Sequence, residues 1–259
     1  MLIQAATAVS VVLASSASDL AACTRAKIQG ERAKTAKEQI NNFEQAIELC
    51  TRVINLVSPY DANRVTAYQR RAQMFLATHR LDEAVADFTE VIGLLPLAVQ
   101  GYLDRALAYR LKGEYSSALS DYEIAVRIQP ASPGLRVSRG FAHVLFGRHD
   151  RAIGDFTSAI QLAPNAIDGY IARSQSYLAT QQLERALADA EAALKINPKS
   201  ALALYKRGLV HHARQDFDNA ILDYSGSLRI DARFVGAFLN RGLAYEEAGK
   251  FDDAVKDYR

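Results

Sequence analysis

Residues 139–164 read RGFAHVLFGRHDRAIGDFTSAIQLAP, and three positions within this stretch recur at intervals of 34 residues along the chain. One column is arginine: Arg71, Arg105, Arg139, Arg173, Arg207 and Arg241. A second is alanine: Ala84, Ala118, Ala152, Ala186, Ala220 and Ala254. The third is mostly proline: Pro96, Pro130, Pro164 and Pro198, with Ala232 in the next place. A repeat of this length is typical of stacked helical hairpins.

Each repeat has the pattern of two amphipathic helices separated by a short break. Over 101–113 the larger apolar residues recur at helical intervals, and Gly113 marks the turn. A second helix over 116–128 carries its apolar residues on one face. It ends before Pro130, because proline lacks an N–H group and its ring blocks a continuing helix. Such hairpins bury their apolar faces only by stacking on neighbours, so the sequence predicts an all-α fold.

The quoted stretch resembles the tetratricopeptide repeat (TPR), with its order of small residue, aromatic, turn glycine, alanine, aromatic, alanine and proline. The resemblance covers 65–259 in strict phase, as five full repeats and a truncated sixth. Residues 42–54 resemble the second helix of a degenerate first repeat. The resemblance implies a right-handed superhelical solenoid of stacked antiparallel helix-turn-helix hairpins, in the style of exported bacterial TPR proteins.

Aspartates accompany the periodic arginines one for one: Asp87, Asp121, Asp155, Asp189, Asp223 and Asp257. In an antiparallel hairpin the two columns should lie at similar heights near the seam between the helices. We therefore predict a structural ladder of Arg–Asp ion pairs, within a repeat or across to the next, that helps to set the register between hairpins. The alternative is that both columns are solvated helix faces, as charged residues usually are.

The sequence holds no pattern for catalysis, metal binding or cofactor binding. Its five histidines share no ligand spacing, and it has no phosphate-binding glycine loop, zinc-binding helix motif or nucleophile elbow. Two cysteines alone cannot form a structural zinc site. A net charge of +2 without a basic stripe gives no reason to expect nucleic acid as a partner. We therefore expect a protein that is not an enzyme and needs no cofactor.

The N-terminus is apolar over 2–17, and the small residues at 15–17 would suit a signal peptidase, whereas the run is too short to span a membrane. We assign 1–18 as a signal peptide, 19–64 as an N-terminal helix with a degenerate first repeat, and 65–259 as the TPR array. This predicts a periplasmic or secreted protein. Because no positive charge precedes the apolar run, a buried or frayed terminal helix in a cytoplasmic protein is the alternative.

The two cysteines, Cys23 and Cys50, are an even pair, which in an exported chain suggests a disulfide across the weakest repeat. Two buried thiols are the alternative in a cytosolic chain. Residues 20–23, LAAC, also resemble a bacterial lipobox, whose cysteine becomes lipid-anchored and would attach the protein to a membrane. Asp19 beside this motif weakens the match, so the disulfide is ranked above it.

Function is then expected to lie on the surface, because helical solenoids present an extended concave face. The resemblance builds this face from the first helix of each hairpin. It implies a groove lined by Gln69, Gln73, Leu103, Leu107, Val137, Phe141, Ile171, Gln175, Tyr205, Leu209, Leu239 and Leu243. The lysine and asparagine residues with which chaperone-binding members clamp a terminal carboxylate are absent from these positions, so the groove is largely apolar. The alternative is that several of these residues pack between repeats.

We therefore expect a non-catalytic interaction scaffold that binds a protein or peptide, as an amphipathic helix or an extended segment, in this groove. Two other functions stay open. The chain could be the targeting domain of a larger enzyme, such as a glycosyltransferase, or it could assemble with itself through its uncapped C-terminal end. Continuation of the reading frame past Arg259 would favour the first, and a concentration-dependent mass would favour the second.

Overall fold

A computed structural model describes residues 2–58 and 61–259 of the chain, with side chains from residue 17 onward. Every regular element in these residues is an α-helix, and the described part of the chain contains no strand. This confirms the predicted all-α fold. The helices form two compact units, Met1–Ile128 and Gln129–Arg259.

Unit 1 contains three helical hairpins. Its helices are α1 (Leu2–Glu31), α2 (Ala36–Leu56), α3 (Ala62–Ala77), α4 (Leu81–Leu94), α5 (Val99–Lys112) and α6 (Tyr115–Ile128). Each helix packs on the next one along the chain, and α1 also contacts α3. Neighbouring hairpins therefore stack, with the first helix of one against the first helix of the next at this end.

Unit 2 contains four hairpins built in the same way. Its helices are α7 (Pro133–Leu145), α8 (His149–Leu162), α9 (Ile167–Ala179), α10 (Leu183–Ile196), α11 (Ala201–Ala213), α12 (Phe217–Ile230), α13 (Val235–Glu247) and α14 (Phe251–Tyr258). The first helices of successive hairpins touch: α7 contacts α9, α9 contacts α11, and α11 contacts α13. The second helices α4, α6, α8 and α10 all end two residues before a periodic proline, as the sequence predicts.

The turns inside the hairpins share one backbone conformation. A residue with positive φ recurs every 34 positions: His79, Gly113, Gly147, Gln181, Gln215 and Gly249, with φ between 59° and 81°. Glycine adopts this left-handed region without steric cost, whereas a side chain is disfavoured there. Three of the six turns therefore keep their geometry with a residue that is not glycine.

Small residues bring the two helices of a hairpin close together. A Cβ added at Gly140 on α7 would lie 2.8 Å from Cδ1 and 2.9 Å from Cζ of Phe156 on α8, so the ring fills the space that the glycine leaves. Phe156 and the periodic Ala152 are both fully buried in this seam. In the next hairpin the hydroxyl of Ser174 donates to the carbonyl of Ala186 over 2.7 Å, which links the two small columns directly.

The N-terminal hairpin is longer than the degenerate repeat that the sequence indicates. Thr35 caps α2, accepting a hydrogen bond from the amide of Glu38, so this helix begins at Ala36 and extends past both ends of 42–54. The side chains of residues 1–16, most of the predicted signal peptide, lie outside the described residues. Among the described residues, no helix combines the length and the apolar character needed to cross a membrane.

Candidate functional site

Each periodic arginine faces the aspartate of its own hairpin. The pairs are Arg71–Asp87, Arg105–Asp121, Arg139–Asp155, Arg173–Asp189, Arg207–Asp223 and Arg241–Asp257. In every pair the guanidinium makes two parallel hydrogen bonds, Nε to Oδ2 over 2.6–2.9 Å and Nη2 to Oδ1 over 2.5–2.8 Å. All the aspartates except Asp257 are buried. The two columns are thus paired within each repeat.

Four of these arginines also bind the preceding hairpin. Their Nη1 atoms donate over 2.9–3.0 Å to a hydroxyl on its second helix: Arg71 to Thr51, Arg105 to Thr89, Arg173 to Thr157 and Arg241 to Ser225. Each such guanidinium therefore holds three helices. Hydrogen bonding to Asp121 raises the pKa of Arg105 above its ordinary value, because the bond favours the charged guanidinium. These contacts are structural, since in the four arginines all three guanidinium nitrogens donate to protein atoms.

A histidine lies beside one of these pairs. His143 on α7 is buried, with its Nε2 atom 3.9 Å from Oδ2 of Asp155. Burial lowers the pKa of His143, because removal from water disfavours the charged ring more than the Asp155 carboxylate favours it. The described residues include no group of three or more side chains that could hold a metal ion.

Cys23 on α1 and Cys50 on α2 are joined as a disulfide, with their Cα atoms 5.5 Å apart. Both residues are fully buried in a cluster that includes Ala26, Phe43 and Ala46. The bond ties α1 to the helix on which it packs. The two cysteines are 27 residues apart in sequence, so the bond closes a loop that contains the turn between α1 and α2.

The residues predicted to line a groove in unit 1 lie on the first helices α3 and α5. Gln73 and Leu107 are exposed, with Leu107 at 41%. Gln69 and Leu103 are half-buried. This surface is mixed, with two amide side chains on α3 and two apolar side chains on α5.

Part of the predicted groove in unit 2 is a pocket. It has a volume of about 330 Å³, and three of them line it: Val137 and Phe141 on α7 and Ile171 on α9. Phe141 is 44% exposed, whereas Ile171 is buried at the pocket wall. The rest of the lining comes from Pro133, Gly134, Ala159, Ala163, Ala166, Asp168, Gly169 and Leu202. The wall is almost wholly apolar, with Asp168 as its one charged residue.

The other predicted groove residues of unit 2 lie on the same series of first helices, outside the pocket. Gln175 on α9 is exposed, and Tyr205 and Leu209 on α11 are half-buried. Tyr205 packs against Phe234, with ring centroids 4.7 Å apart, so it contributes to packing between repeats as well. Leu239 and Leu243 on α13 are 53% and 39% exposed.

Sequence reasoning missed Leu202 and Lys206 on α11. Leu202 lines the pocket, and Lys206 lies one turn further along the helix. Lys206 belongs to the column just before the periodic arginines: Arg70, Asp104, Ser138, Ala172, Lys206 and Asn240. That column changes character in almost every repeat. A variable column next to the constant arginines indicates a surface whose chemistry differs from repeat to repeat.

Comparison with solved structures places the chain among helical-repeat proteins. A tetratricopeptide repeat protein from Parabacteroides merdae ATCC 43184 is 14% identical, with a TM-score of 0.71 over 84% of this chain and 85% of that one. MamA is 26% identical, with a TM-score of 0.51 over 62% of this chain and 87% of its own. YrrB, described as a TPR protein with an unusual peptide-binding site, is 20% identical, with a TM-score of 0.54 over 74% and 96%. No curated protein matches the chain.

Two family models match the sequence, and both are described as tetratricopeptide repeat. One matches residues 70–133 and 171–233, and the other matches 237–259, so together they cover more than half of the chain. The matched stretches contain the arginine, alanine and proline columns except Arg139, Ala152 and Pro164, which belong to the unmatched hairpin of α7 and α8. The chain belongs to the tetratricopeptide repeat family.

Proposed function

We propose that this TPR-type scaffold binds a peptide or a helix of a partner protein through the first-helix surface of unit 2, without catalysis. The observation that carries the proposal is the apolar pocket of about 330 Å³ between Val137, Phe141 and Ile171. Clefts lined by apolar side chains are the usual places where ligands bind. An exposed phenylalanine at such a cleft lowers the solubility of the free protein, and a partner that covers the ring removes this cost.

The surroundings of the pocket support this function. Phe141 makes an edge contact with the buried Phe156, with ring centroids 5.3 Å apart, so one side of its ring is held while the other faces the pocket. A preorganised aromatic side chain loses little conformational entropy when a partner docks. YrrB, a neighbour in fold, is described by its peptide-binding site, which agrees with this use of the repeat.

The test is selection of peptides from a displayed random library on the purified chain, followed by affinity measurement with variants. Phe141→Ser should abolish binding of the selected peptides. Leu222→Ser is the matched control, because Leu222 is also exposed, at 60%, but lies on the second helix α12. Circular dichroism should show both variants folded. If no peptide is enriched, or if both variants bind alike, the pocket is not the binding site.

We further propose that the protein works in an oxidising compartment outside the cytoplasm. The support is the disulfide between Cys23 and Cys50, since such bonds persist in exported proteins and are rare in the cytosol. Peptide mass mapping without reductant, on protein isolated from its native cell fraction, should recover the linked peptides. Free thiols at both positions, or a lipid group on Cys23, would contradict the proposal in distinguishable ways.

A further inference from the structure

Lys206 lies beside the apolar pocket of unit 2. It follows Leu202, which lines the pocket, by four residues on α11, so the two side chains share one face of the helix. Its ammonium donates to Oε1 of Gln175 over 3.0 Å, and Gln175 follows the pocket residue Ile171 by four residues on α9. Lys206 and Gln175 therefore each lie one helical turn from a residue of the pocket wall.

Among the described residues, the ammonium of Lys206 has no anionic partner, unlike the ammonium of each comparable lysine. Three lysines of the described chain are half-buried. Lys27 binds Glu31 over 2.6 Å, and Lys112 binds both Asp82 and Glu114 over 2.6 Å. In the described part of the chain, Lys206 contacts the neutral amide of Gln175 and the ring of Tyr205, whose centroid lies 5.6 Å from Nζ.

The charge of Lys206 is therefore not neutralised by a neighbouring carboxylate, although the side chain is half-buried. Burial lowers the pKa of Lys206, which shows that the site disfavours the charge as it stands. A ligand carboxylate at hydrogen-bonding distance would compensate that charge. Charge-assisted hydrogen bonds of this kind are about twice as strong as those between neutral groups.

The pocket has a charge of the opposite sign at another part of its wall. Asp168 lies in the first turn of α9, is exposed and lines the pocket. Its carboxylate repels an acidic ligand group there. A ligand acid is therefore favoured on the Lys206 side, and the two charges give the pocket a direction.

We propose that unit 2 recognises a short acidic peptide motif, in which an apolar side chain fills the pocket at Phe141 and a carboxylate about one helical turn away binds Lys206. The proposal rests on the proposed function, since the apolar anchor occupies the same pocket. The carboxylate belongs to an Asp or Glu side chain or to the peptide C-terminus, and these sources share the chemistry that Lys206 recognises.

The experiment uses synthetic peptides taken from the selection on the wild-type chain, each made in three forms. One carries the selected acid with a C-terminal amide, one replaces that acid by Gln or Asn with the same amide, and one keeps the neutral residue with a free C-terminal carboxylate. Affinities are measured at low salt for the wild type and for Lys206→Met, which keeps the aliphatic stem and removes the charge. Lys195→Met, at an exposed lysine on the second helix α10, is the matched control.

The acidic side-chain form, the free C-terminal form, or both should bind the wild type about tenfold more tightly than the fully neutral form. Lys206→Met should reduce this preference to about onefold, Lys206→Arg should restore it, and Lys195→Met should leave it unchanged. Whichever carboxylate form binds the wild type more tightly than the neutral form identifies the source of the carboxylate. Equal binding of all three forms to the wild type, or a preference that survives Lys206→Met, would overturn this inference. If Phe141→Ser still abolished binding in that case, the proposed apolar site would stand without the acidic motif. If Phe141→Ser bound the peptides as tightly as the wild type, the proposed function would be removed as well.

Discussion

Arg173 and Asp189 form two parallel hydrogen bonds, Nε to Oδ2 and Nη2 to Oδ1, each 2.8 Å long. Asp189 is 6% exposed, and Nη1 of the same guanidinium donates to Thr157 on the preceding hairpin over 2.9 Å. One arginine on α9 therefore joins α8, α9 and α10. Its planar set of donors matches a carboxylate and still has a donor left for the third helix, which a lysine could not provide in the same geometry.

Asp189→Ala should destabilise the fold strongly, because it leaves the half-buried Arg173 without its carboxylate. Breaking a buried pair in this way costs about 3–5 kcal/mol, and the lower end is expected since the guanidinium keeps some contact with water. Asp82→Ala is the comparison, since the exposed carboxylate of Asp82 pairs with Lys112 at the surface, where water screens the interaction and an ion pair contributes little. Urea unfolding of both variants measures the difference. Equal free energies of unfolding for the two variants would show that the periodic aspartates contribute no more to stability than a surface aspartate.

The periodic part of this fold could be predicted from the sequence, and the singular part could not. Columns that repeat every 34 residues report a contact made six times, so the pairing of Arg173 with Asp189 could be anticipated without coordinates. Lys206 has no lysine counterpart in the other repeats. It stands out only because no carboxylate of the described residues lies beside its ammonium, which the sequence does not show. A local signal was overlooked at Thr35 and Glu38, whose spacing is that of a capping box and which begin α2.

Gly140→Ala should destabilise the third hairpin of the periodic array, because the new methyl group would lie within 3 Å of the ring of the fully buried Phe156. Overpacking of a core typically costs about 1–3 kcal/mol. Gly154→Ala, in the same hairpin, is the matched control, since its Cβ would meet no atom within 4 Å. That change should stabilise α8 by up to about 1 kcal/mol, as alanine favours helices over glycine. Thermal unfolding of the two variants should shift in opposite directions, and shifts of the same sign would contradict the packing argument.

Gln181→Gly should stabilise the protein, although glycine usually weakens a fold. Gln181 has a φ of 59° in the turn between α9 and α10, where a side chain is disfavoured by about 1–2 kcal/mol. Its side chain is exposed, so little packing is lost. The reverse change, Gly113→Gln, at the same turn position of another hairpin should destabilise by a similar amount. Unfolding free energies of both variants test the pair, and a loss of stability in Gln181→Gly would show that this turn is not strained.

Tyr224→Phe should also stabilise the protein. The Tyr224 side chain is fully buried, and its hydroxyl has no hydrogen-bond partner among the described residues. Burial raises the pKa of that hydroxyl. An unsatisfied buried polar group costs about 1–3 kcal/mol. Phe156 and Phe88 occupy the same position in other hairpins, so the ring alone fits. Tyr122→Phe, where the hydroxyl is not left buried without a partner, should be close to neutral. The prediction fails if Tyr224→Phe melts below the wild type.

His143 should make the stability depend on pH in the weakly acidic range. Its pKa is lowered in the folded protein by burial, and the charges of Arg139, Arg148 and Arg151 act in the same direction, whereas Asp155 opposes them. As the pH falls below the ordinary histidine value of 6.5, the unfolded chain binds a proton that the folded protein takes up only at lower pH. Stability is therefore complete above that value and declines as the pH falls towards the lowered folded pKa, below which this contribution stays constant.

The variant that tests this is His143→Phe, because Phe75 occupies the same place in the first periodic hairpin and cannot titrate. Urea unfolding of both proteins between pH 8 and pH 5 should show the wild type losing stability relative to the variant as the pH falls. The difference should appear only below about pH 6.5, where an ordinary histidine begins to be protonated. Parallel profiles over the whole range would mean that His143 is hydrated enough to bind its proton equally well in the folded and unfolded chains.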